Sequence, residues 1–341
     1  MYQRKNERRS NDYLDVRIDY CLNPRWISPK TTKQLLACYS ARLETVAQTE
    51  SRGRFAVPAE EGTPAMAGSK DTIQGRFLPG GPTHPGFLDG DEPAPFEIVS
   101  ADGEASAILV CDHASNRIPR CLGTLGLGQD ALLSHIAWDP GAAEVARQMS
   151  ELLNATLVLS AYSRLVIDCN RPTDSPESIP ERSGSVPIPG NRSLSPNDRA
   201  RRRQALFDPY HEAIGKVIDA RAGRPNLLLS IHSFTAELDG QRRPWSVGLS
   251  YGRDPRLALA LRDVLARGGE FLVGENQPYS IDDLTDYTIP VHGEARGYPH
   301  VLIEIRQDLL TTRADATQWA RRLADAYGLV AQAALRLGHE P

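Results

Sequence analysis

Four apolar stretches of the chain end in, or contain, side chains that could do chemistry. In open α/β sheets, ligands bind outside the carboxyl ends of the strands, so four such stretches indicate one shared site. Two histidines, a glutamate and an Asn-Arg pair would suit metal-assisted hydrolysis of an amide whose substrate carries a carboxylate. The residues are Asp112-His113 after 108–111, Asp168-Cys169-Asn170-Arg171 after 165–167, His232 after 227–231, and Glu304 within 301–305.

His113 and His232 are the candidate metal ligands. Each follows a predicted strand, and neutral imidazole is the commonest protein ligand for Zn²⁺. Asp139, just before Pro140-Gly141, would complete a His/His/Asp set for Zn²⁺ or another divalent ion. The alternative role for Asp139 is the N-cap of the following helix, and His135 is expected to pack or bond locally.

Asn170 and Arg171 are the candidate anchor for a substrate carboxylate. Arginine offers a planar fork that binds a carboxylate through two hydrogen bonds, and asparagine adds a neutral donor. Asp168 is expected to orient Arg171 or a ligating histidine from behind, and Arg164 is a further candidate anion anchor. The alternative is a salt-bridged turn before Pro172.

Glu304 interrupts an otherwise apolar strand. A buried carboxylate is costly unless it has a partner. As a general base it would accept a proton from an attacking water and return it to the leaving amine. The alternative is a buried ion pair with Arg306 or Arg296, and Arg296 is also a candidate contact for the substrate.

The elements that must position these residues alternate between strand and helix from residue 96 onward. Strands are predicted at 107–111, 155–160, 164–168, 226–231, 245–250, 270–273 and 301–305, and helices at 141–153, 195–222, 255–267 and 314–337. Such alternation predicts an α/β fold with three α/β/α layers around a mostly parallel, mixed sheet.

Residues 1–94 differ from the rest. Residues 1–54 are basic and weakly patterned, and residues 51–95 are rich in glycine, proline and turn signals. The absence of a periodic apolar face predicts a mostly disordered extension, 1–94, before a catalytic domain at 95–341. Met66 is an alternative start of the chain.

Composition narrows the class of protein. A net charge of -4 argues against an electrostatic nucleic-acid binder, and no apolar run approaches the 18 residues of a membrane span. The start has no apolar signal region, and the five cysteines are scattered, which fits a reducing cytoplasm without a disulfide framework. The predicted partner is a small molecule.

The chain resembles the N-formylglutamate amidohydrolase family from about residue 108 to residue 319. The segments that carry the resemblance are Cys111-Asp112-His113-Ala114-Ser115-Asn116, residues 163–172, Pro209-Tyr210-His211, His232-Ser233 and Ile303-Glu304-Ile305-Arg306-Gln307. The resemblance implies a zinc-carboxypeptidase-like fold and hydrolysis of an N-acyl amino acid such as N-formylglutamate.

That family is in turn similar to zinc carboxypeptidases and aspartoacylase. This implies a His-x-x-Glu metal motif, an Asn-Arg clamp, a second histidine ligand and a glutamate base, in that order. Here the first motif is His113-x-x-Asn116, so its carboxylate is missing. Either Asn116 ligates through its carbonyl or supports the ligands, or Asp139 takes the place of the glutamate.

The sequence therefore predicts a cytoplasmic, metal-dependent amidohydrolase with Glu304 as base. The rival interpretation is a non-catalytic binding protein for a carboxylate or amino-acid derivative, which kept the clamp and lost the metal. Metal content after purification distinguishes the two.

Overall fold

A computed structural model describes residues 86–224, 226–267 and 269–337 of the chain. Seven strands form its main sheet. They are β1 (Phe96–Val99), β2 (Ala107–Cys111), β3 (Thr156–Ser160), β4 (Leu227–Phe234), β5 (Val247–Ser250), β6 (Val273–Glu275) and β7 (His300–Arg306). Two-stranded hairpins, Arg182–Ser183 with Val186–Pro187 and Glu237–Leu238 with Gln241–Arg242, lie outside it.

The strand order across the sheet is β1-β3-β2-β4-β7-β5-β6. The four adjacent strands β3, β2, β4 and β7 are parallel, while β1 pairs antiparallel with β3 and β5 antiparallel with β7. The carboxyl ends of β2, β4 and β7 therefore meet at the same edge, where the sequence predicts the site.

Helices cover both faces of the sheet. They are α1 (Gln129–Leu133), α2 (Ala142–Leu153), α3 (Pro196–Arg202), α4 (Asp208–Asp219), α5 (Arg256–Leu265) and α6 (Arg313–Leu337). Helices α2, α5 and α6 pack their apolar faces against one side of the sheet, and α4 packs against the other. Both sides are apolar because alternate residues of the buried strands point to opposite sides. The predicted three-layer α/β/α fold is confirmed.

Three details of the predicted elements need correction. Residues 164–168 form turns rather than a strand, since their buried apolar side chains belong to a cluster of loops beside the sheet. The strand predicted at 270–273 is Val273–Glu275, which pairs with β5. The sequence analysis missed the short edge strand Phe96–Val99.

The predicted boundary at residue 95 falls too late. Phe87 is 5% exposed and packs in the loop cluster, and Tyr162 donates its hydroxyl to the carbonyl of Pro93 at 2.7 Å. The rest of the predicted extension, residues 1–85, lies outside the described residues. Among the helices that are described, none is both long enough and apolar enough to cross a membrane.

Candidate metal centre and active site

Three adjacent central strands bring the candidate residues together. His113 lies two residues after the end of β2, His232 lies in β4, and Glu304 lies in β7 directly opposite His232. Leu228 and Leu302 pack on the α4 side of the sheet. His232 follows Leu228 by four residues and Glu304 follows Leu302 by two, so both side chains point to that same side.

His113, Asp139 and His232 form one compact group, called the histidine cluster below. One ligand atom from each lies within 4.8 Å of the other two, and all three residues are buried. Oδ2 of Asp139 is 2.9 Å from Nδ1 of His232 and 3.4 Å from Nδ1 of His113. Two imidazoles and a carboxylate are a suitable donor set for Zn²⁺.

Each histidine of the cluster is supported from behind by a second carboxylate. Nε2 of His113 is 2.7 Å from Asp168, and Nε2 of His232 is 3.0 Å from Asp112. A carboxylate on the far nitrogen fixes the orientation of a ligating imidazole and leaves the other nitrogen for the metal. Asp168 thus lies where the sequence analysis placed a residue that orients a histidine.

Asp112 is the residue of the site that the sequence analysis missed. Its Oδ1 accepts hydrogen bonds from the hydroxyls of Tyr210 at 2.9 Å and Thr288 at 2.7 Å. The sequence does show that Asp112 stands beside His113 at the end of a buried strand. Because side chains alternate between the two faces of a strand, Asp112 lies on the α4 face.

The cluster carries more negative than positive groups. Of three buried carboxylates, Asp112, Asp139 and Asp168, only the last two contact a guanidinium of the described residues, that of Arg164, which is 2.7 Å from Asp168 and 3.6 Å from Asp139. With neutral imidazoles two negative charges remain uncompensated, which a divalent cation would balance.

The ionisation of the cluster follows this balance. Burial opposes charge on every group, but the neighbouring carboxylates outweigh it and raise the pKa of His232 well above its ordinary value. In return, the imidazoles hold the pKa of Asp139 below its usual range despite burial. The site is therefore built to attract positive charge at the position of the two Nδ1 atoms.

Glu304 lies beside this cluster, and its pKa is shifted in the opposite direction from that of Asp139. Burial raises its pKa to about 7; His232 opposes the rise and Asp139 adds to it. Among the described residues, its Oε2 atom has no hydrogen-bond partner. Its neighbour on β5 is Gly248, which has no side chain to offer.

The buried ion pair considered for Glu304 is not formed. Arg306 lies 2.7 Å from Asp308 and donates to backbone carbonyls, including that of Trp245. Arg296 lies 2.6 Å from Asp219, whose side chain is exposed on α4, and it does not line the cavity. The expectation that Arg296 contacts the substrate is corrected accordingly.

Asn170 and Arg171, called the clamp below, lie at another wall of the same cavity. Nδ2 of Asn170 donates to Asp286 at 3.0 Å, and its Oδ1 accepts from the backbone N–H of Thr288 at 3.0 Å. Arg171 donates to the carbonyl of Thr285 at 2.6 Å. The clamp is thus bound to a segment more than 110 residues further along the chain.

Two other candidates occupy less central positions. Asn116 donates its amide to the carbonyl of Leu132 at 2.9 Å and does not line the cavity, so Asp139 supplies the carboxylate of the cluster. His135, expected to bond locally, lines the cavity, and burial lowers its pKa.

The cavity that joins these walls has a volume of about 200 Å³, the size for a small molecule or part of one. Most of the residues that line it are polar, and Phe234, Leu238 and Tyr279 also line it. The candidate residues along it are His113, His135, Asp139, Arg164, Asn170, Arg171, His232 and Glu304.

The sequence model of the N-formylglutamate amidohydrolase family matches residues 105–311. A gene product of Agrobacterium tumefaciens with a solved structure is 39% identical to this chain, with a TM-score of 0.70. The match covers 72% of this chain and 98% of that one.

The N-formylglutamate amidohydrolase of Ralstonia eutropha has a similar fold. It is 18% identical, with a TM-score of 0.52, over 72% of this chain and 99% of that one. None of the curated proteins matches the chain.

Proposed function

Because the chain belongs to the N-formylglutamate amidohydrolase family, we propose that it is a metal-dependent hydrolase of N-acyl amino acids. The family makes it a hydrolase acting on amide bonds. The proposal adds three features: a divalent metal, with Zn²⁺ as the first candidate; Glu304 as the general base; and a substrate with a free carboxylate, such as N-formylglutamate.

The observation that carries the proposal is Glu304. Its buried Oε2 has no partner among the described residues, and its strand neighbour is a residue of the histidine cluster. Burying a carboxyl group without a partner costs stability. A pKa raised to about 7 suits a group that must both accept and donate a proton near neutral pH.

His113, Asp139 and His232 would hold the metal, with Asp112 and Asp168 fixing the two rings. The excess of carboxylates fits a divalent ion, and so do the Nδ1 atoms of both rings, which face the same oxygen of Asp139. When bound, such an ion supplies Lewis-acid activation of the water and the acyl carbonyl.

The protein's own groups carry the remaining steps. Glu304 takes a proton from the attacking water and returns it to the leaving nitrogen, so the amine departs neutral. Arg171 and Asn170 seat the substrate carboxylate, and Arg164 adds positive charge on the adjoining wall. This division assigns chemistry to the sheet edge and recognition to the loops.

The direct test is a hydrolysis screen with metal analysis. Protein purified without added metal should carry about one divalent ion per chain. It should release amino acid from N-formyl-L-glutamate and related N-acyl amino acids, but much more slowly from their carboxamides. Active protein without metal would refute the metal-dependent mechanism.

The rival, a non-catalytic binding protein, makes the opposite forecast. It would bind N-acyl amino acids without turnover and without stoichiometric metal. The cytoplasmic location suggested by the scattered cysteines stays a prediction.

A further inference from the structure

The polar groups of the clamp are already engaged by one loop. Asn170 donates Nδ2 to Oδ1 of Asp286 at 3.0 Å, and its Oδ1 accepts from the backbone N–H groups of Tyr287 at 3.2 Å and Thr288 at 3.0 Å. Both polar atoms of the side-chain amide therefore have partners without any ligand.

A carboxylate also lies against the guanidinium of Arg171. Nη1 is 3.4 Å from Oδ1 of Asp286, the same oxygen that Asn170 contacts, and 2.6 Å from the carbonyl of Thr285. The side chain of Asp286 is 11% exposed and lines the cavity. One internal carboxylate thus makes both contacts expected of a substrate carboxylate.

The position of Asp286 is fixed by its own loop. Its backbone N–H donates to the carbonyl of Asp282 at 3.0 Å, and its Oδ2 accepts from the N–H of Asp282 at 3.2 Å. Oδ1 is left to face the clamp. Burial raises the pKa of this carboxyl group, and Arg171 opposes that rise.

We infer that Asp286 is a specificity-determining residue, which occupies the carboxylate position of the clamp and must be displaced by the carboxylate of the substrate. The inference rests on the proposed function, because that function makes Asn170 and Arg171 the clamp.

Internal competition of this kind selects among ligands. With Asp286 in place the clamp has little net positive charge, so a simple carboxylate gains little by replacing one anion with another. A ligand also held at the histidine cluster presents its carboxylate to the clamp at a high effective concentration. The cavity therefore favours molecules that reach both ends over small free acids.

The test is the affinity of glutarate for Asp286→Asn compared with the unaltered protein. The metal-loaded full-length proteins are titrated with glutarate by calorimetry at pH 7.5, with glutaramide as the uncharged probe. Asparagine still offers an oxygen to Asn170 but repels no anion. The Kd for glutarate should fall at least about fivefold, the Kd for glutaramide much less.

Asp283→Asn is the matched control. It lies in the same loop and changes the net charge equally, but its side chain pairs with Arg253 outside the clamp. It should leave both affinities unchanged. If Asp286→Asn does not fold, Asp286→Ser removes the same charge and carries the same expectation.

Other results would overturn the inference. Unchanged or weaker glutarate binding in the variant would mean that Asp286 only holds the clamp in shape, and no binding to either protein would mean that no carboxylate seat exists. The readout does not need turnover. A protein that hydrolyses no N-acyl amino acid, yet binds glutarate more tightly after Asp286→Asn, would refute the proposed function and leave the inference standing.

Discussion

The histidine cluster and the clamp share one cavity but are built in different ways. His232 lies within a central strand, and His113 lies two residues after the end of another. Both are buried, and a carboxylate supports each ring. The clamp lies in turns, and 22% of the Arg171 side chain is exposed. Its partners come from a loop across the cavity.

In the proposed mechanism, this difference separates chemistry from recognition. Side chains on the central strands of a sheet are held within tight limits, which metal ligands and a general base require. Loops tolerate substitution and movement, which suits the part of a site that selects the substrate. Changes at the cluster should therefore affect turnover, and changes at the clamp should affect affinity.

The largest effect is expected for His232→Ala. Removal of a ligand should abolish stoichiometric metal binding and lower kcat/KM by more than roughly 10⁴-fold, the upper range for losing one acid–base group. Elemental analysis and hydrolysis of N-formyl-L-glutamate measure both. Full activity in metal-free variant protein would place the chemistry elsewhere.

Glu304→Gln should have the next largest effect. The amide keeps the shape of the side chain but cannot accept the proton, so kcat should fall by roughly 10²- to 10⁴-fold while the metal stays bound. Steady-state kinetics and metal analysis of the same preparation check this. Loss of metal along with activity would make Glu304 a ligand rather than a base.

Asp112→Asn should have an intermediate effect. It weakens the support of the His232 ring, and such changes cost roughly 10- to 100-fold in metal affinity or activity. Competition with a chromogenic chelator gives the metal affinity. Asp283→Asn, which removes a carboxylate that pairs with Arg253 outside both regions, serves as the control and should leave metal affinity unchanged.

Arg171→Lys should change affinity more than rate. Lysine keeps the charge but loses the fork, so KM for N-acyl amino acids should rise about tenfold with little change in kcat. The corresponding carboxamides should show no such rise. An equal drop in kcat for acids and amides would contradict the separation of chemistry from recognition.

The smallest effect is expected for deletion of residues 1–85, a segment that contains none of the candidate site residues. The sequence gives that segment no periodic apolar face, so kcat/KM and the melting temperature should stay nearly unchanged. Deletion to residue 94 should lower the melting temperature by several degrees, because it removes the buried Phe87. Insolubility of the shorter deletion would show that residues 1–85 support the fold.

Local patterns were sufficient to predict the core of the sheet and the strand ends. Buried parallel strands are continuous apolar runs, and His113, His232 and Glu304 stand out against them. The turn at 164–168 was misjudged because its apolar side chains pack on loops, a tertiary effect that resembles a strand in sequence.

The remaining parts of the site depend on contacts between distant segments. Asn170 and Asp286 are 116 residues apart, and no local pattern relates them. Asp112 carries a signal only once the orientation of its strand is known. Arg296 was considered as a substrate contact because its sequence context does not reveal that Asp219 on α4 binds it.

Thr288 joins the two regions. Its backbone N–H contacts Asn170 of the clamp, and its hydroxyl contacts Asp112 behind His232. If the proposed metal and carboxylate both bind, a shift of Thr288 on carboxylate entry would change the support of His232, and the two binding events would share one coupling free energy. By thermodynamic reciprocity, the factor by which the metal alters affinity for the carboxylate equals the factor by which the carboxylate alters affinity for the metal.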